Sequence, residues 1–416
     1  MNAQHDEVLI IGGGVIGLAT ALALIDAGRG VRVLEAATVG SGASHGNCGT
    51  ITPSHAPPLA APGTIALGLR WMFTPDAPLY LKPRLDPGLW RWLAHFAARC
   101  NLKDWRQSTQ SRSAILNDSR SRLAEWVERY GLQCEFAEEG LDYVFRQQAN
   151  FDHYAKECES LREFGVVSEI FDGADYLRDE PALKPGVVGA VRFPEDARLR
   201  PDRYVAELAR VVRERGGAIE ENCCVDSLQD SANGVIVGTS LGPRSGSDAV
   251  IALGAWSPAL ARTLGIELPI QPGKGYSITY SRPSLVPRRA MVLKDRQVCV
   301  TVWESGFRLG STMEFSGYDE TLNATRLAAL ERGAGEYLHE PVGAVVHERW
   351  YGWRPMTWDD LPVLGRVPGK RKLWLAAGHG MLGVTMSAAS GQLMADLIAG
   401  NTTAIDPAPY RMERFL

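Results

Sequence analysis

The chain has 416 residues and a formal net charge of −4, with 45% hydrophobic and 22% charged residues. This composition is typical of an ordinary globular protein, and the length suffices for two domains around a large core. Because the chain has no basic tail and no run of Lys and Arg longer than three residues, we do not expect nucleic acid as a partner.

The cysteine pattern indicates the cellular compartment of the protein. The seven cysteines lie at positions 48, 100, 134, 158, 223, 224 and 299, without a Cys-x-x-Cys pair. An odd number without paired spacing argues against a disulfide framework and against a zinc site. We therefore expect a reducing, cytoplasmic compartment and no bound metal. The first seven residues are polar and lead directly into a strand, so we predict no signal peptide.

The first motif predicts a dinucleotide site. The apolar run Val8–Ile11 has the pattern of a buried strand, and three glycines follow it at GxGxxG spacing: Gly12, Gly14 and Gly17. These glycines allow a tight turn, close approach of the backbone to a pyrophosphate, and close packing of a helix whose N-terminus faces the phosphates. Val31–Leu34 predicts a second parallel strand, and Glu35 at its end can accept hydrogen bonds from ribose hydroxyls. A carboxylate disfavours a 2′-phosphate, so we expect FAD or NAD rather than NADP.

Residues 40–100 differ in composition from the opening motif. Residues 40–49 are mostly small and suit close approach to a flat ring or a phosphate. Between residues 53 and 100, proline-rich turns precede two aromatic segments, Leu67–Phe73 and Trp90–Phe96. The second spaces its aromatic residues along one helical face. We favour core or subunit contact over a membrane surface here, because Lys and Arg are too few for a strong interfacial helix.

Helices and strands alternate along the rest of the chain. The sequence predicts helices over 102–131 (ending at Gly131), Phe151–Phe164, Pro201–Arg215, Leu322–Tyr337 and Gly383–Ile398. It predicts strands at Leu141–Phe145, Val187–Phe193, Ala218–Val225, Tyr276–Tyr280, Val298–Val302 and Phe307–Leu309, with buried strands from Asp248 and at Leu373–Ala377. Val8–Ile25 and Leu373–Ala395 lack charged residues over a membrane-spanning length. Glycine clusters interrupt both, so we predict no transmembrane helix.

Several segments in chain order carry a resemblance to a known family. They are the opening glycine motif with Glu35, followed by Ser44–Gly49, Ala252–Ser257, Gly352–Gly365 and Gly378–Thr385. Together they resemble the FAD-dependent amine and amino-acid oxidoreductases grouped with D-amino acid oxidase and glycine oxidase. Within this family the chain is most similar to bacterial D-amino acid dehydrogenases, including those for D-proline and D-hydroxyproline. The segments that carry this closer likeness are Asn47–Gly49, Ala56–Gly63, Trp71–Phe73, Lys274–Ser277 and Glu314–Tyr318.

The resemblance implies an α/β fold class. We expect a Rossmann-type FAD-binding domain assembled from discontinuous segments, with an inserted α+β substrate domain that contains an antiparallel sheet. Residues 1–52, 195–270 and 345–416 are predicted to form the FAD-binding domain, and residues 53–194 and 271–344 the substrate domain. Cys48 stands where the family usually has alanine. We nevertheless expect non-covalent FAD, because the family's covalent links use a cysteine near the C-terminus or a Trp-His motif, and this chain has neither.

The resemblance also implies the site residues. Arg354 occupies the family's carboxylate-binding position, and a guanidinium can hold a carboxylate through two parallel hydrogen bonds. Tyr276 is expected to close the site with its hydroxyl, with simple packing as the alternative; these two residues are the catalytic candidates. His55 and Met381 complete the predicted substrate-binding set, and His379 is expected to contact the flavin rather than act as a base. The predicted cofactor contacts are Gly12, Gly14, Val15, Ile16, Gly17, Glu35, Ala36, Ser44, Asn47, Cys48, Gly49, Val225, Gly254, Trp256, Gly352, His379, Gly380, Met381, Leu382, Gly383 and Thr385.

The implied reaction is dehydrogenation of a free D-amino acid at its Cα–N bond, by hydride transfer to flavin N5 without a required general base. A cyclic substrate such as D-proline or cis-4-hydroxy-D-proline stays open, and a quinone or another respiratory carrier is the expected electron acceptor. The alternatives are the flavin subunit of a hetero-oligomeric dehydrogenase, with Cys223-Cys224 at its interface, and a glycine- or sarcosine-oxidase-like enzyme. Besides the cytoplasm, the expected locations include the inner face of the cytoplasmic membrane, contacted peripherally through residues 60–100.

Overall fold

The computed structural model describes residues 7–71 and 77–416, which form twenty strands and ten α-helices. The strands are β1 (Val8–Ile11), β2 (Val31–Leu34), β3 (Thr50–Ile51), β4 (Leu79–Leu81), β5 (Leu141–Phe145), β6 (Glu169–Asp172), β7 (Gly189–Phe193), β8 (Ala197–Arg198), β9 (Ala218–Glu220), β10 (Val225–Ser231), β11 (Gly234–Thr239), β12 (Arg244–Gly246), β13 (Asp248–Ile251), β14 (Gln271–Tyr280), β15 (Ala290–Leu293), β16 (Val298–Trp303), β17 (Gly306–Phe315), β18 (Val346–Met356), β19 (Val363–Arg366) and β20 (Leu373–Ala377).

The α-helices are α1 (Val15–Asp26), α2 (Thr64–Trp71), α3 (Pro87–Arg99), α4 (Leu102–Tyr130), α5 (Gln148–Leu161), α6 (Gly173–Asp179), α7 (Pro201–Glu214), α8 (Ser257–Thr263), α9 (Ala324–Tyr337) and α10 (Gly383–Ala399). Short 3-10 helices occur at Pro53–His55, Arg162–Phe164, Gly254–Trp256, Ala408–Tyr410 and Met412–Phe415. The predictions for the first six residues and for Met72 and Phe73 lie outside the described residues.

Sheet A contains the opening motif and has the strand order β19-β20-β13-β1-β2-β9. All of these strands run parallel except β19. The predicted parallel pairing of Val8–Ile11 with Val31–Leu34 is confirmed. Every residue of β1 is buried, because Val8 and Ile10 pack in the cluster that includes α1 and α10, whereas Leu9 and Ile11 pack against the other face. A strand covered on both faces has this continuous apolar sequence.

Sheet B is the larger sheet, with the order β18-β14-β17-β16-β15-β5-β7-β6 and with β4 beside β17. Its pairs are antiparallel except β15 with β5 and β17 with β4. One row of directly paired residues crosses it: Tyr143, Val292, Cys299, Gly310, Ser277 and Trp350. Paired residues point to the same face of a sheet, and we call the face that carries this row the floor.

The predicted α/β fold class is confirmed, and the differences are local. The predicted strand Ala218–Val225 divides at Asn222, whose φ of 55° turns the chain. Its first part joins sheet A as β9, and its end begins β10 in the small sheet β10-β11-β12. The long helix predicted over residues 102–131 is present as α4, and it ends at Gly131 with a left-handed φ of 60°. The predicted domain boundaries stay a prediction. Sheet A draws its strands from the predicted FAD-binding segments, whereas β18, from the last of them, pairs in sheet B.

Close helix packing supports the opening motif. Gly391 in α10 lies against the backbone of α1, and a Cβ at this position would stand 2.5 Å from the carbonyl oxygen of Ala19. Among the described residues, no helix combines the length and the apolar character that a membrane span requires.

We expect Gly391→Ala to lower the free energy of unfolding by about 1–3 kcal/mol, because the added methyl forces α10 away from α1. The matched control is Gly335→Ala in α9, where a Cβ meets nothing within 4 Å. That change should raise the free energy of unfolding by up to about 1 kcal/mol, because alanine favours the helix. Urea unfolding measures both variants. Equal effects of the two substitutions would contradict the packing argument.

Candidate active site

A cavity of about 2750 Å³ opens between the carboxyl ends of β1 and β2 and the floor of sheet B. Ordinary small-molecule sites enclose about 300–1000 Å³. The cavity therefore has room for a dinucleotide and for a second, smaller molecule.

Most of the predicted site residues line this cavity. They are Gly12, Gly14, Val15, Ile16, Glu35, Ala36, Ser44, Asn47, Cys48, His55, Val225, Gly254, Trp256, Tyr276, Gly352, Arg354, His379, Gly380, Met381, Leu382, Gly383 and Thr385. Gly17 and Gly49 lie behind the lining. A Cβ on Gly17 would collide with the carbonyl oxygen of Gly12, and one on Gly49 with that of Leu199. Both glycines therefore allow close backbone packing rather than lining the cavity.

The glycine loop and Glu35 form one end of the cavity. Glu35 Oε2 accepts a hydrogen bond of 2.7 Å from the Gly13 amide, and Oε1 accepts one of 2.9 Å from the Ala37 amide. The φ of Gly12 is +112°, and a Cβ there would lie 2.6 Å from the carbonyl oxygen of Ala252. These contacts leave a turn bare of side chains at the N-terminus of α1, which is suited to a pyrophosphate.

Arg308, which the sequence did not single out, holds the 44–49 loop onto the floor. Its Nη1 donates to the carbonyl oxygens of His45 at 3.1 Å and Asn47 at 2.6 Å. Thr301 Oγ1 donates to the carbonyl oxygen of Cys48 at 2.7 Å. No local sequence signal marks Arg308, because it stands in an ordinary strand pattern and acts on a distant segment.

The same loop also contacts sheet A and the C-terminal segment. Ser44 Oγ accepts a hydrogen bond of 3.2 Å from the Val15 amide at the start of α1. The Asn47 side chain accepts from the Gly49 amide at 2.8 Å and donates to the carbonyl oxygen of Met381 at 3.5 Å. Segments that are separated in sequence thus meet around one loop.

Two glycines of the floor have no side chain and so leave room for the groups that lie on them. Gly310 faces the sulfur of Cys48, and a Cβ there would collide with it. A Cβ on Gly275 would collide with the guanidinium of Arg354. The Lys274-Gly-Tyr segment noted in the sequence therefore has a physical role: its glycine gives the arginine a flat surface.

Arg354 carries an unbalanced positive charge at the cavity. Its Nη1 donates a hydrogen bond of 2.5 Å to the carbonyl oxygen of Thr312. This carbonyl is exposed by a bulge in β17, where Thr312 has a φ of 64°. Burial lowers the pKa of Arg354, which still stays protonated at neutral pH. Within residues 7–71 and 77–416, no carboxylate pairs with it, so the remaining donors are free to hold an anion.

The position of Tyr276 corrects the expected role of its hydroxyl. Tyr276 neighbours Ser277 in β14, so its side chain points to the face of sheet B opposite the floor and Arg354. It is buried, and its hydroxyl donates to Glu314 Oε2 at 3.1 Å. Tyr276 therefore borders the cavity, but its ring packs on the far side of the floor with Ile278 and Tyr280, and its hydroxyl does not face Arg354.

Two of the histidines that line the cavity, His55 and His379, are neutral at physiological pH. Burial is the main cause that lowers the pKa of His55 to about 3, and burial does the same for His379. His55 Nε2 forms a hydrogen bond with the Tyr143 hydroxyl, and His379 Nε2 one of 3.0 Å with Ser390 Oγ. The backbone of His55 is held by a second residue that the sequence did not reveal, Arg112, which donates to its carbonyl oxygen at 2.9 Å.

Cys48 and Cys299 face each other on the floor. A hydrogen bond with Cys299 is the main cause that lowers the pKa of the Cys48 thiol, and Arg354 and Arg308 lower it further. All seven cysteines are free thiols. In the two described segments of the chain, no group of three His, Cys, Asp or Glu side chains is arranged to hold a metal ion.

The mouth of the cavity is apolar and exposed. α2 has no buried residue, and Leu69 is 55% and Trp90 56% exposed while both line the cavity. Leu89 and Trp92 on the opposite side of α3 are buried. Core packing therefore explains the aromatic segment only in part.

Comparison with known proteins identifies relatives along the whole chain. The family model described as FAD dependent oxidoreductase matches residues 7–397. The D-amino acid dehydrogenase of Methylobacterium nodulans is 34% identical over 418 residues, which cover 99% of this chain and 99% of the relative. The D-amino acid dehydrogenase of Rhizorhabdus wittichii is also 34% identical, over 98% of this chain and 100% of the relative.

Solved structures share the fold. Glycine oxidase from Geobacillus kaustophilus superposes with a TM-score of 0.81 at 24% identity, covering 99% of both chains. L-proline dehydrogenase from P. horikoshii superposes with a TM-score of 0.73 at 20% identity, again covering 99% of both chains.

The fold and the cavity define an oxidoreductase that binds a dinucleotide cofactor between sheet A and the floor of sheet B. More narrowly, the chain belongs to the FAD-dependent oxidoreductase family, and its cofactor is FAD. The residues fit this group, because the bare turn at Gly12–Gly14 suits the pyrophosphate and Glu35 stands at the carboxyl end of β2.

We expect Glu35→Gln to raise the dissociation constant for FAD by at least about tenfold, because the neutral amide loses charge-assisted hydrogen bonds worth about 1.5–3 kcal/mol each. Titration of the FAD-free protein with FAD measures the constant. Glu413→Gln, at an exposed position far along the chain, is the control and should not change it. An unaltered affinity in Glu35→Gln would show that the carboxylate does not contribute to binding.

Proposed function

We propose that the protein dehydrogenates a free D-amino acid at its Cα–N bond and passes the electrons to a quinone or another respiratory acceptor. The observation that carries this proposal is the cavity-lining guanidinium of Arg354, which no carboxylate of the described residues neutralises. A free amino acid supplies the missing carboxylate. The relatives named D-amino acid dehydrogenase, which cover the full length of the chain, support the same substrate class.

Arg354 would bind the substrate carboxylate through the donors that Thr312 leaves free. Its position on Gly275 restricts the guanidinium to one plane, so a bidentate pair would also orient the substrate. FAD, when bound, supplies the hydride acceptor. His55 and His379 are neutral and engaged with Tyr143 and Ser390, which agrees with chemistry that starts from the neutral amine and needs no general base.

The proposal has two variants, which differ in the side chain of the substrate. An acyclic D-amino acid yields an imine that hydrolyses to a 2-oxo acid, whereas D-proline or cis-4-hydroxy-D-proline yields a cyclic imine. Both share the carboxylate contact with Arg354. A glycine- or sarcosine-oxidase-like reaction uses the same contact and differs in its substrate and in using oxygen as the acceptor.

The exposed apolar mouth supports a contact near the cavity, either with the inner face of the cytoplasmic membrane or with a partner subunit. Ile65, Leu69 and Trp90 are all exposed there. The second candidate function, a flavin subunit of a hetero-oligomeric dehydrogenase, follows from this surface. The protein would then be reduced by substrate only in the presence of its partner.

Anaerobic addition of D-proline, cis-4-hydroxy-D-proline and D-alanine to the FAD-loaded protein should bleach the visible flavin absorbance with at least one of them. The L-enantiomers serve as controls and should react much more slowly. If no D-amino acid reduces the flavin of the isolated chain, the main proposal fails. Reduction that begins on adding a partner would favour the subunit function instead.

We expect Arg354→Met to lower kcat/KM for the best substrate by at least about 100-fold, because two charge-assisted hydrogen bonds are lost. Arg354→Lys should recover only part of this, since an ammonium cannot reproduce the planar fork. Arg366→Met, at an exposed arginine on β19, is the control. Flavin absorbance verifies FAD content in each variant, and an Arg354→Met enzyme with normal kcat/KM would refute the carboxylate role.

A further inference from the structure

A second cation, Lys294, opens into the same cavity and has no role in the reaction described above. It follows β15 on the floor side, two residues after Val292, and it lines the cavity with Tyr143, Tyr154 and Glu157. Arg354 belongs to β18, but its guanidinium lies over Gly275 of the neighbouring strand β14. Two strands, β17 and β16, separate β14 from β15. The two cations thus flank a common stretch of floor.

Two tyrosine rings hold the ammonium of Lys294. Its Nζ lies 4.5 Å from the ring centroids of both Tyr143 and Tyr154. The rings are stacked with 5.2 Å between centroids, and the hydroxyl of Tyr143 is engaged by His55. This arrangement orients the lysine without using its three N–H donors.

The ammonium lacks a counter-ion. No carboxylate in residues 7–71 and 77–416 forms an ion pair with it. Burial lowers the pKa of Lys294 to about 8, against an opposing effect of Glu157. A cation used only for packing would be expected to gain an acceptor, because unpaired donors in a buried site are costly. The space left open to the N–H donors of Lys294 is the cavity, which the residue lines.

The separation of the two cations suits a small molecule. Neighbouring strands lie about 4.8 Å apart, so the three spacings from β14 to β15 put the guanidinium and the ammonium roughly 14 Å apart. A hydrogen bond of about 3 Å at each end leaves roughly 8 Å between the bound oxygens. This is close to the span of an extended amino acid with a terminal oxygen on its side chain, such as glutamate.

We propose that Lys294 is a specificity-determining residue that donates a hydrogen bond to an oxygen on the substrate side chain, either a hydroxyl or a carboxylate. The inference rests on the proposed function, in which Arg354 holds the α-carboxylate. The enzyme should therefore prefer D-amino acids with a polar, oxygen-bearing side chain over those of the same shape without the oxygen.

The test compares two substrate pairs in the FAD-loaded protein. cis-4-Hydroxy-D-proline against D-proline tests a hydroxyl, and D-glutamate against D-norvaline tests a carboxylate. The wild type should show a higher kcat/KM for the oxygen-bearing member of at least one pair. In Lys294→Met this ratio should fall about 10- to 100-fold, while kcat/KM for the oxygen-free member changes less than about threefold. Lys156→Met, on the exposed side of α5, is the matched control.

A wild-type pH series tests the proposal without any variant. The groups that face Lys294 titrate outside the range from pH 7 to 9.5: burial raises the pKa values of Tyr143 and Tyr154 well above their ordinary value and that of Cys158 to about 11, whereas that of His55 is about 3. Glu157 and Arg112 complete the surrounding charges. The ammonium is the stronger donor, so the preference should decline as the pH rises through about 8. The α-amines of D-glutamate and D-norvaline titrate close together, so the ratio for this pair isolates the lysine.

The outcomes separate the two proposals. If neither D-alanine nor any member of the two pairs reduces the flavin, the proposed function fails. If flavin is reduced but neither pair shows a preference, or the preference survives Lys294→Met, or it is flat from pH 7 to 9.5, the role of Lys294 is overturned. An equal loss for both members of a pair would assign the lysine to packing alone.

Discussion

The hydrogen bonds from Arg308 to the carbonyl oxygens of His45 and Asn47 join the two halves of the cavity. Through them the 44–49 loop lies on sheet B, while Ser44 of the same loop contacts the start of α1, the helix that follows β1 of sheet A. A buried guanidinium with backbone acceptors fixes the loop more firmly than apolar packing would, because the bonds from its Nη1 to the two carbonyl oxygens are directional. The shape of the site therefore depends on an arginine that touches neither the dinucleotide turn nor the mouth of the cavity.

The charges that line the cavity are compensated unevenly: Arg112, for example, pairs with Asp360 at 3.5 Å. Arg354 and Lys294 have no carboxylate partner among the described residues, and His55 and His379 are neutral. Interactions with an incoming anion are stronger in such surroundings than in water. The unpaired positive charges thus favour an anionic ligand in this cavity, which agrees with the proposed carboxylate contact of Arg354. The tyrosine rings that hold Lys294 and the glycine beneath Arg354 orient the two cations without neutralising them.

The exposed apolar mouth contrasts with this polar interior. α2 buries none of its residues, although its sequence contains several large apolar side chains. A helix of this kind gains little from the protein to which it is attached. Because α2 lies beside the cavity, the proposed surface contact would lie next to the opening that leads to the cofactor.

Local sequence patterns determined the dinucleotide fold and much of the site. The strand, the three glycines and Glu35 lie close together in the sequence, so their spacing alone predicted β1, α1 and β2. The likeness of the Arg354 segment to a family gave the proposed carboxylate-binding position. The tertiary structure decided which residues from distant parts of the chain meet, because residue spacing does not contain this information. Strand alternation turned Tyr276 away from Arg354, and pairing across sheet B brought Arg308 to the 44–49 loop and Lys294 to the tyrosines. These contacts join residues that are far apart in the chain, and only the register of the folded strands selects them.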